Sequence, residues 1–174
     1  MSTLKALTVL QPWASAIALG QKRIETRSRP ISYRGPLLIH AGKGLRGQAF
    51  DDEIMRPHFR PVLKAFSGNR LAAAAHIPKG AIVAVAQLIG CRRAEDFAVG
   101  KTERFPRAWT TDLLFECTAQ ELALGDFSPG RFGWVLADVK PLPRPIPCSG
   151  KQGLWNADPQ AIPGLADALK ELGF

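Results

Sequence analysis

Cysteine is scarce in this chain, and metal-ligand spacing is missing from it. The three cysteines, Cys91, Cys117 and Cys148, are odd in number and far apart, with no CxxC pair. Neither a disulfide framework nor a zinc site is therefore indicated. His40, His58 and His76 are equally scattered, without HxxxH or HExxH, so no metal and no cofactor are expected. GxGxxG, GxxxxGK[ST] and GxSxG are all absent, which removes the usual phosphate loops and the nucleophile elbow. No apolar run approaches the roughly 18 residues of a membrane helix. One stretch imitates a secretion signal: Lys5, the run Ala6 to Leu10, and the box Ala14-Ser15-Ala16. It breaks at Gln11-Pro12, short of the roughly 7–15 apolar residues a signal needs. The expectation is a cytoplasmic chain with no membrane partner. No internal repeat or low-complexity tract appears.

What is present suits one folded domain. A length of 174 residues falls within the usual range for a single domain, and 46% hydrophobic residues can supply its core. The formal net charge of +8 is unevenly placed. Residues 1–70 hold 12 Lys/Arg against 4 Asp/Glu, whereas residues 71–174 hold 11 of each. A localised basic surface favours polyanions, because neutralising phosphates releases condensed counterions.

Along the chain, Leu4 to Leu10 reads as a strand, and Pro12 suits the first turn of a following helix that stops at Gly20. Arg23 to Ser28 reads as a strand with Arg23, Glu25 and Arg27 on one face and Ile24 and Thr26 on the other. Leu37 to His40 is a further strand, Gly42 to Gly47 a glycine-rich basic turn, and Ala49 to Phe66 helical on either side of Pro57 and Pro61. Asp51-Asp52-Glu53 reads as a solvated helix start. Gly80 to Leu88 is a buried strand, and Arg92 to Arg107 reads as irregular. Thr118 and Glu121 stand in capping-box spacing at a short helix. Arg131 to Val139 alternates as a strand, and the extended Pro141 to Pro147 suits an edge strand or a clasp. Ala161 to Leu172 predicts a terminal amphipathic helix. Several short strands without a βαβ rhythm predict an α+β domain, a small mixed β-barrel with flanking helices.

The segment Gly20 to Arg29 concentrates the chemistry. Lys22, Arg23, Arg27 and Arg29 surround Glu25. Lys22 reads as an exposed lysine near a helix end, as a phosphate contact, or as a base or nucleophile if burial lowers its pKa. Glu25 and Arg27, two apart, share a strand face and can form an ion pair. Arg27 and Arg29 can make bidentate phosphate contacts, or be solvated strand charges. Trp13 is either a core aromatic or a base-stacking platform. Lys151, Gln152 and Trp155 pair a charged amide-bearing turn with an indole, which either reads a ligand or plugs the core.

The order of these segments resembles the ASCH domain family, named for activating signal cointegrator-1 homology. Gly20-x-Lys22-x-x-Glu25-x-Arg27 matches its GxKxxExR signature. LQPWASAIALG, GAIVAVAQLIGC, SPGRFGWVLADVKPLPRPIP and GKQGLWN are similar to flanking segments of its bacterial branch. The resemblance implies a PUA-like barrel over residues 1–156, with a variable insertion at about 44–79. Residues 157–174 would be a helical extension packed on the same domain. It implies binding of RNA or single-stranded nucleic acid through a basic cleft with Trp13, Gly20, Lys22, Arg27, Arg29, Lys151, Gln152 and Trp155. The alternatives it carries are a metal-independent ribonuclease or an amidohydrolase on a modified nucleoside in the same cleft, with Lys22 and Glu25 catalytic. A ribonuclease could also draw on His40. A protein-recruitment module is a third reading. The amidohydrolase branch uses a lysine, a threonine and a glutamate. Here Glu25 occupies the threonine position and Gln87 stands where the second acid would be sought.

Overall fold

The computed structural model describes residues 4–66, 70–98, 102–107 and 110–174. Its elements run β1 (Leu4–Gln11), α1 (Trp13–Ala18), β2 (Ile24–Arg27), β3 (Gly35–Leu45), α2 (Arg56–Ala65), α3 (Arg70–His76) and β4 (Ala81–Arg93). There follow β5 (Thr102–Arg107), β6 (Thr110–Glu116), α4 (Ala119–Ala123), β7 (Phe132–Pro147), β8 (Leu154–Ala157) and α5 (Leu165–Glu171). The fold is α+β. A six-stranded mixed sheet has the order β2-β7-β4-β3-β1-β8, and β5 pairs with β6 in a separate ribbon. Among the described strands only β1 and β3 run parallel, from Lys5 opposite Leu37 to Val9 opposite Ala41.

Both faces of the sheet are buried, which is why β4 opens as a continuous apolar run. One face packs Leu7, Val9, Leu37, Ile39, Leu88 and Leu136 beneath Ile17 of α1. The other packs Ala6, Leu38, Ile82, Val85, Ile146 and Trp155 against Leu165 and Leu169 of α5. A third cluster, with Phe50, Phe59, Val62 and Ile77, seats α2 against the outer side of α1 at Ala16. Gln11, wholly buried, ties β1 to α1 by accepting from the Ser15 N–H at 3.0 Å.

The expected closure into a barrel is not made. Strands β2 and β8 are the two edges, and each is four residues long. The β4–β7 ladder shifts register three times, and Asp138 within β7 has φ 49°. Such bulges bend a sheet strongly. The sheet thus curls far enough for the guanidinium of Arg27 on β2 to donate to the carbonyl of Thr8 on β1 at 2.8 Å. A side chain, not a ladder, spans the seam. Strand β8 pairs with Leu4 to Leu7 and leaves the far end of β1 uncovered there.

Three local readings also change. Gly42 and Gly44 belong to β3 rather than to a turn: a Cβ on either would press on Thr8 or Leu10, so glycine permits close packing of β1 on β3. Residues 102–107, expected irregular, form β5, because pairing with β6 supplies the order that their weak alternation does not signal. The terminal helix starts at Leu165, not Ala161, behind Pro163 and a Gly164 of φ 81°. Trp109 lies outside the described residues. The proline-rich half of β7 is extended as expected, and β2 pairs only with Phe132 to Val135 of that strand. The half without a second neighbour tolerates residues that lack an N–H.

Candidate functional site

A cleft of about 630 Å³ opens at the unclosed seam. Thr8, Val9 and Leu10 of β1 form one wall, and Lys22, Glu25, Thr26 and Arg27 form the other. Arg46, Met55, Trp13, Asp126 and Arg131 also line it.

The floor follows from the way α1 ends. Gly20, at φ 72°, stops the helix in the left-handed conformation that glycine adopts most easily. The next two amides, of Gln21 and Lys22, both donate to the Ala16 carbonyl. This turn drives Lys22 inward. Its side chain is 1% exposed, so the exposed-lysine reading is overturned. Its Nζ donates to the Ile24 carbonyl and lies 3.7 Å from Glu25 Oε2. A buried charge needs such partners. Burial pushes the Lys22 pKa down from 10.5; Glu25 and Glu121 oppose that shift, and Arg27 adds to it. Glu25 bridges the two cations, since its Oε1 lies 3.0 Å from Arg27 Nη2. Arg27 is half-buried, and its Nε has no hydrogen-bond acceptor among the described residues.

Glu121 on α4 holds this arrangement from behind. Thr118 caps α4 by accepting from the Glu121 N–H at 3.3 Å, half of the expected capping box. The Glu121 carboxylate does not complete the box. It accepts from the Arg23 N–H at 2.8 and 3.1 Å and from the Ile24 N–H at 3.0 Å, where β2 begins. Burial raises its pKa, while Lys22 and the two amides pull it back. On the rim, Arg131 donates to the Thr26 carbonyl at 3.3 Å and lies 3.2 Å from Asp126. The Thr26 hydroxyl accepts from the Asp126 N–H at 3.0 Å, away from Glu25.

Of the residues singled out in the sequence, Trp13, Lys22, Glu25 and Arg27 come together at the cleft. Trp13 serves two surfaces, lining the cleft and meeting Phe59 edge to face at 5.7 Å. Gly20 shapes the turn beneath. Arg29 is exposed outside the cleft lining, and its carbonyl accepts from Trp134 Nε1 at 3.0 Å. Lys151 and Gln152 are exposed and Trp155 is buried, and none of the three lines the cleft; the Trp155 Nε1 donates at 3.1 Å to the hydroxyl of the wall residue Thr8, which donates to the Lys151 carbonyl at 2.5 Å. His40 is 3% exposed and meets Thr8 Oγ1 and the Cys148 carbonyl, each at 3.2 Å, away from Lys22. Sequence reasoning did not assign Arg46, Met55, Asp126 or Arg131 to the site. The basic composition of 43–46 and the capping spacing at Glu121 were the available signals. Among the described residues no three His, Cys, Asp or Glu side chains form a metal-ligand set, and no helix is long and apolar enough to cross a membrane.

A family model, the ASCH domain, matches residues 7–141. That span contains every residue of the cleft and ends before Lys151, Gln152 and Trp155. No curated protein matches the chain.

Proposed function

The chain belongs to the ASCH domain family, a family generally linked to RNA binding, and from that premise we propose that it binds RNA or single-stranded nucleic acid with one nucleoside unit seated in the seam cleft. The observation that carries this reading is the floor of Lys22, Glu25 and Arg27 beside Trp13, in a cleft of about 630 Å³. That volume suits a ligand of nucleoside size. Lys22 and Glu25 largely neutralise each other. The attraction for phosphate then rests with Arg46 and Arg131 of the cleft lining. Guanidinium groups meet phosphate oxygens in pairs. Glu25, whose carboxylate lines the cleft, would take hydrogen bonds from a base edge or a ribose hydroxyl. Trp13 would stack on the base, a contact worth about 1–3 kcal/mol.

A labelled single-stranded RNA titrated by fluorescence anisotropy at two salt concentrations tests this. Arg131→Ala and Arg46→Ala should weaken binding and flatten the salt dependence. Equal affinity for wild type and both variants would end this reading.

One observation favours a second reading, a hydrolase in the same cleft. A lysine wholly buried beside a carboxylate, with its pKa lowered by desolvation, is suited to act as base or nucleophile. The same RNA, recovered and run on a denaturing gel, separates the two. Shortening that Lys22→Met abolishes would favour the ribonuclease. Intact RNA with binding retained favours the binder.

A further inference from the structure

We propose that the exposed face of α2 is a second contact for nucleic acid, a basic stripe that carries the phosphate backbone of a single strand beyond the cleft. This rests on the cleft reading above. Helix α2 buries Phe59 and Val62 against the core. Beside that apolar face it exposes Arg56, Arg60 and Lys64, at i, i+4 and i+8. The three charges are stacked one turn apart, about 6 Å per step along the helix axis.

Among the described residues no ion pair accounts for this stripe. Like charges at i and i+4 oppose helix formation. Arg56 stands in the first turn, where the helix dipole disfavours a cation and where α2 has no acidic residue. Among the described residues no carboxylate pairs with any of the three. The nearest acids in sequence, Asp51, Asp52 and Glu53, precede the helix, and Asp52 spends its carboxylate on the amides of Ile54 and Met55 at 2.9 Å. A row of unpaired cations that strains its own helix gains from a polyanion.

Position identifies which polyanion. Met55, the residue immediately before α2, lines the cleft, and so does Arg46 on the segment leading to it. The stripe therefore starts at the cleft wall and runs about 12 Å from it. A strand with one unit in the cleft would leave along α2, meeting its cations in turn, as basic grooves track single strands.

The test is the variant Arg56→Gln, Arg60→Gln, Lys64→Gln, which keeps helix-forming side chains and removes the charge. Affinity would be measured for an unstructured RNA of about twelve nucleotides and for a dinucleotide, at roughly 50 and 200 mM salt, with circular dichroism to confirm the fold. For single strands each phosphate contact contributes about 0.7 to the slope of log K against log salt. Three lost contacts lower the slope by about 2, so over this range the wild type should lose about twentyfold more affinity than the variant. The dinucleotide should bind both proteins equally. A dinucleotide that binds with an unchanged long-strand slope overturns the stripe and leaves the cleft. Binding of neither RNA by the wild type overturns both. Stripe-dependent binding to phosphatidylserine vesicles, with none to RNA, would replace the strand by a membrane surface.

Discussion

Replacing Glu121 should loosen the start of β2 and, through it, the floor of the cleft. Its carboxylate receives two amides, and the Ile24 amide belongs to a residue with no exposed surface. A hydrogen bond to a charged group contributes about 1.5–3 kcal/mol, and an amide orphaned in the interior loses most of that. The Arg23 amide lies beside a half-exposed side chain, so water can replace its partner, and about half the value applies. Removing the carboxylate also relieves the desolvation that raises its pKa. We therefore take the lower part of the range, about 2 kcal/mol for Glu121→Ala. In urea, followed by tryptophan fluorescence, this moves the midpoint by about 1 M at unchanged m. It lowers Tm by roughly 4–8 °C for a chain of this size. Glu121→Gln keeps one acceptor oxygen and should lose about half as much. Arg23→Ala removes the 3.6 Å pair of a side chain 41% exposed, an exposed ion pair worth about 0.2–1 kcal/mol, and should cost less than Glu121→Ala. Amide exchange at Ile24 should accelerate in Glu121→Ala and stay slow in Arg23→Ala. A Glu121→Ala protein as stable as wild type, with Ile24 still protected, would refute the anchoring role.

Gly20→Ala should cost about 1 kcal/mol from backbone conformation alone, since no atom lies within 4 Å of the added Cβ, and Gly20→Asn should recover much of it in the same urea assay. Gly150→Ala places a methyl well inside contact of the His40 ring and should lower stability by about 1–3 kcal/mol, with a changed Trp155 emission. Burial lowers the His40 pKa from 6.5, so the folded state takes up its proton later than the unfolded one. Stability should be held above pH 6.5 and fall as pH drops below it toward the folded value, a slope that His40→Gln removes. Lys22 behaves alike at the alkaline end: with its folded pKa below 10.5, stability should rise as pH climbs toward 10.5 and level off there. Lys22→Met should flatten that rise, and an unchanged pH profile would contradict its burial as a cation.

What the sequence revealed about the site was what lies close along the chain. Lys22, Glu25 and Arg27 fall within one turn and one short strand, so helix stop and strand alternation bring them together. Glu121 and Arg131 reach the same strand from about a hundred residues away, and no local pattern encodes that meeting. Lys151 and Trp155 mark the opposite limit. They are near each other in sequence and both meet the Thr8 hydroxyl, Lys151 through its carbonyl, yet the lysine side chain is exposed while the indole is buried. Strand positions were legible for the same reason that barrel closure was not. Alternation and apolar runs are properties of a segment, whereas closure depends on whether two edge strands find each other.

That open seam and the signature residues depend on one another. Were β2 to pair with the free end of β1, backbone hydrogen bonds would fill the gap and leave no room beside Glu25. Four-residue edges are too short to bridge a sheet that bends at three register shifts. Arg27 therefore does at one point what a ladder would do along the whole seam, holding the Thr8 carbonyl from across the gap. It can do so only if its charge is balanced, and Glu25 balances it. Glu25 in turn stands against Lys22, whose burial would be untenable without a carboxylate. Removing Glu25 leaves two cations without their carboxylate in the cleft wall, whereas removing either cation leaves Glu25 paired with the other. On the nucleic-acid reading proposed above, the cations of the cleft lining left for a polyanion are those outside this triad, Arg46 and Arg131, and the triad would serve first to keep the cleft open and in shape.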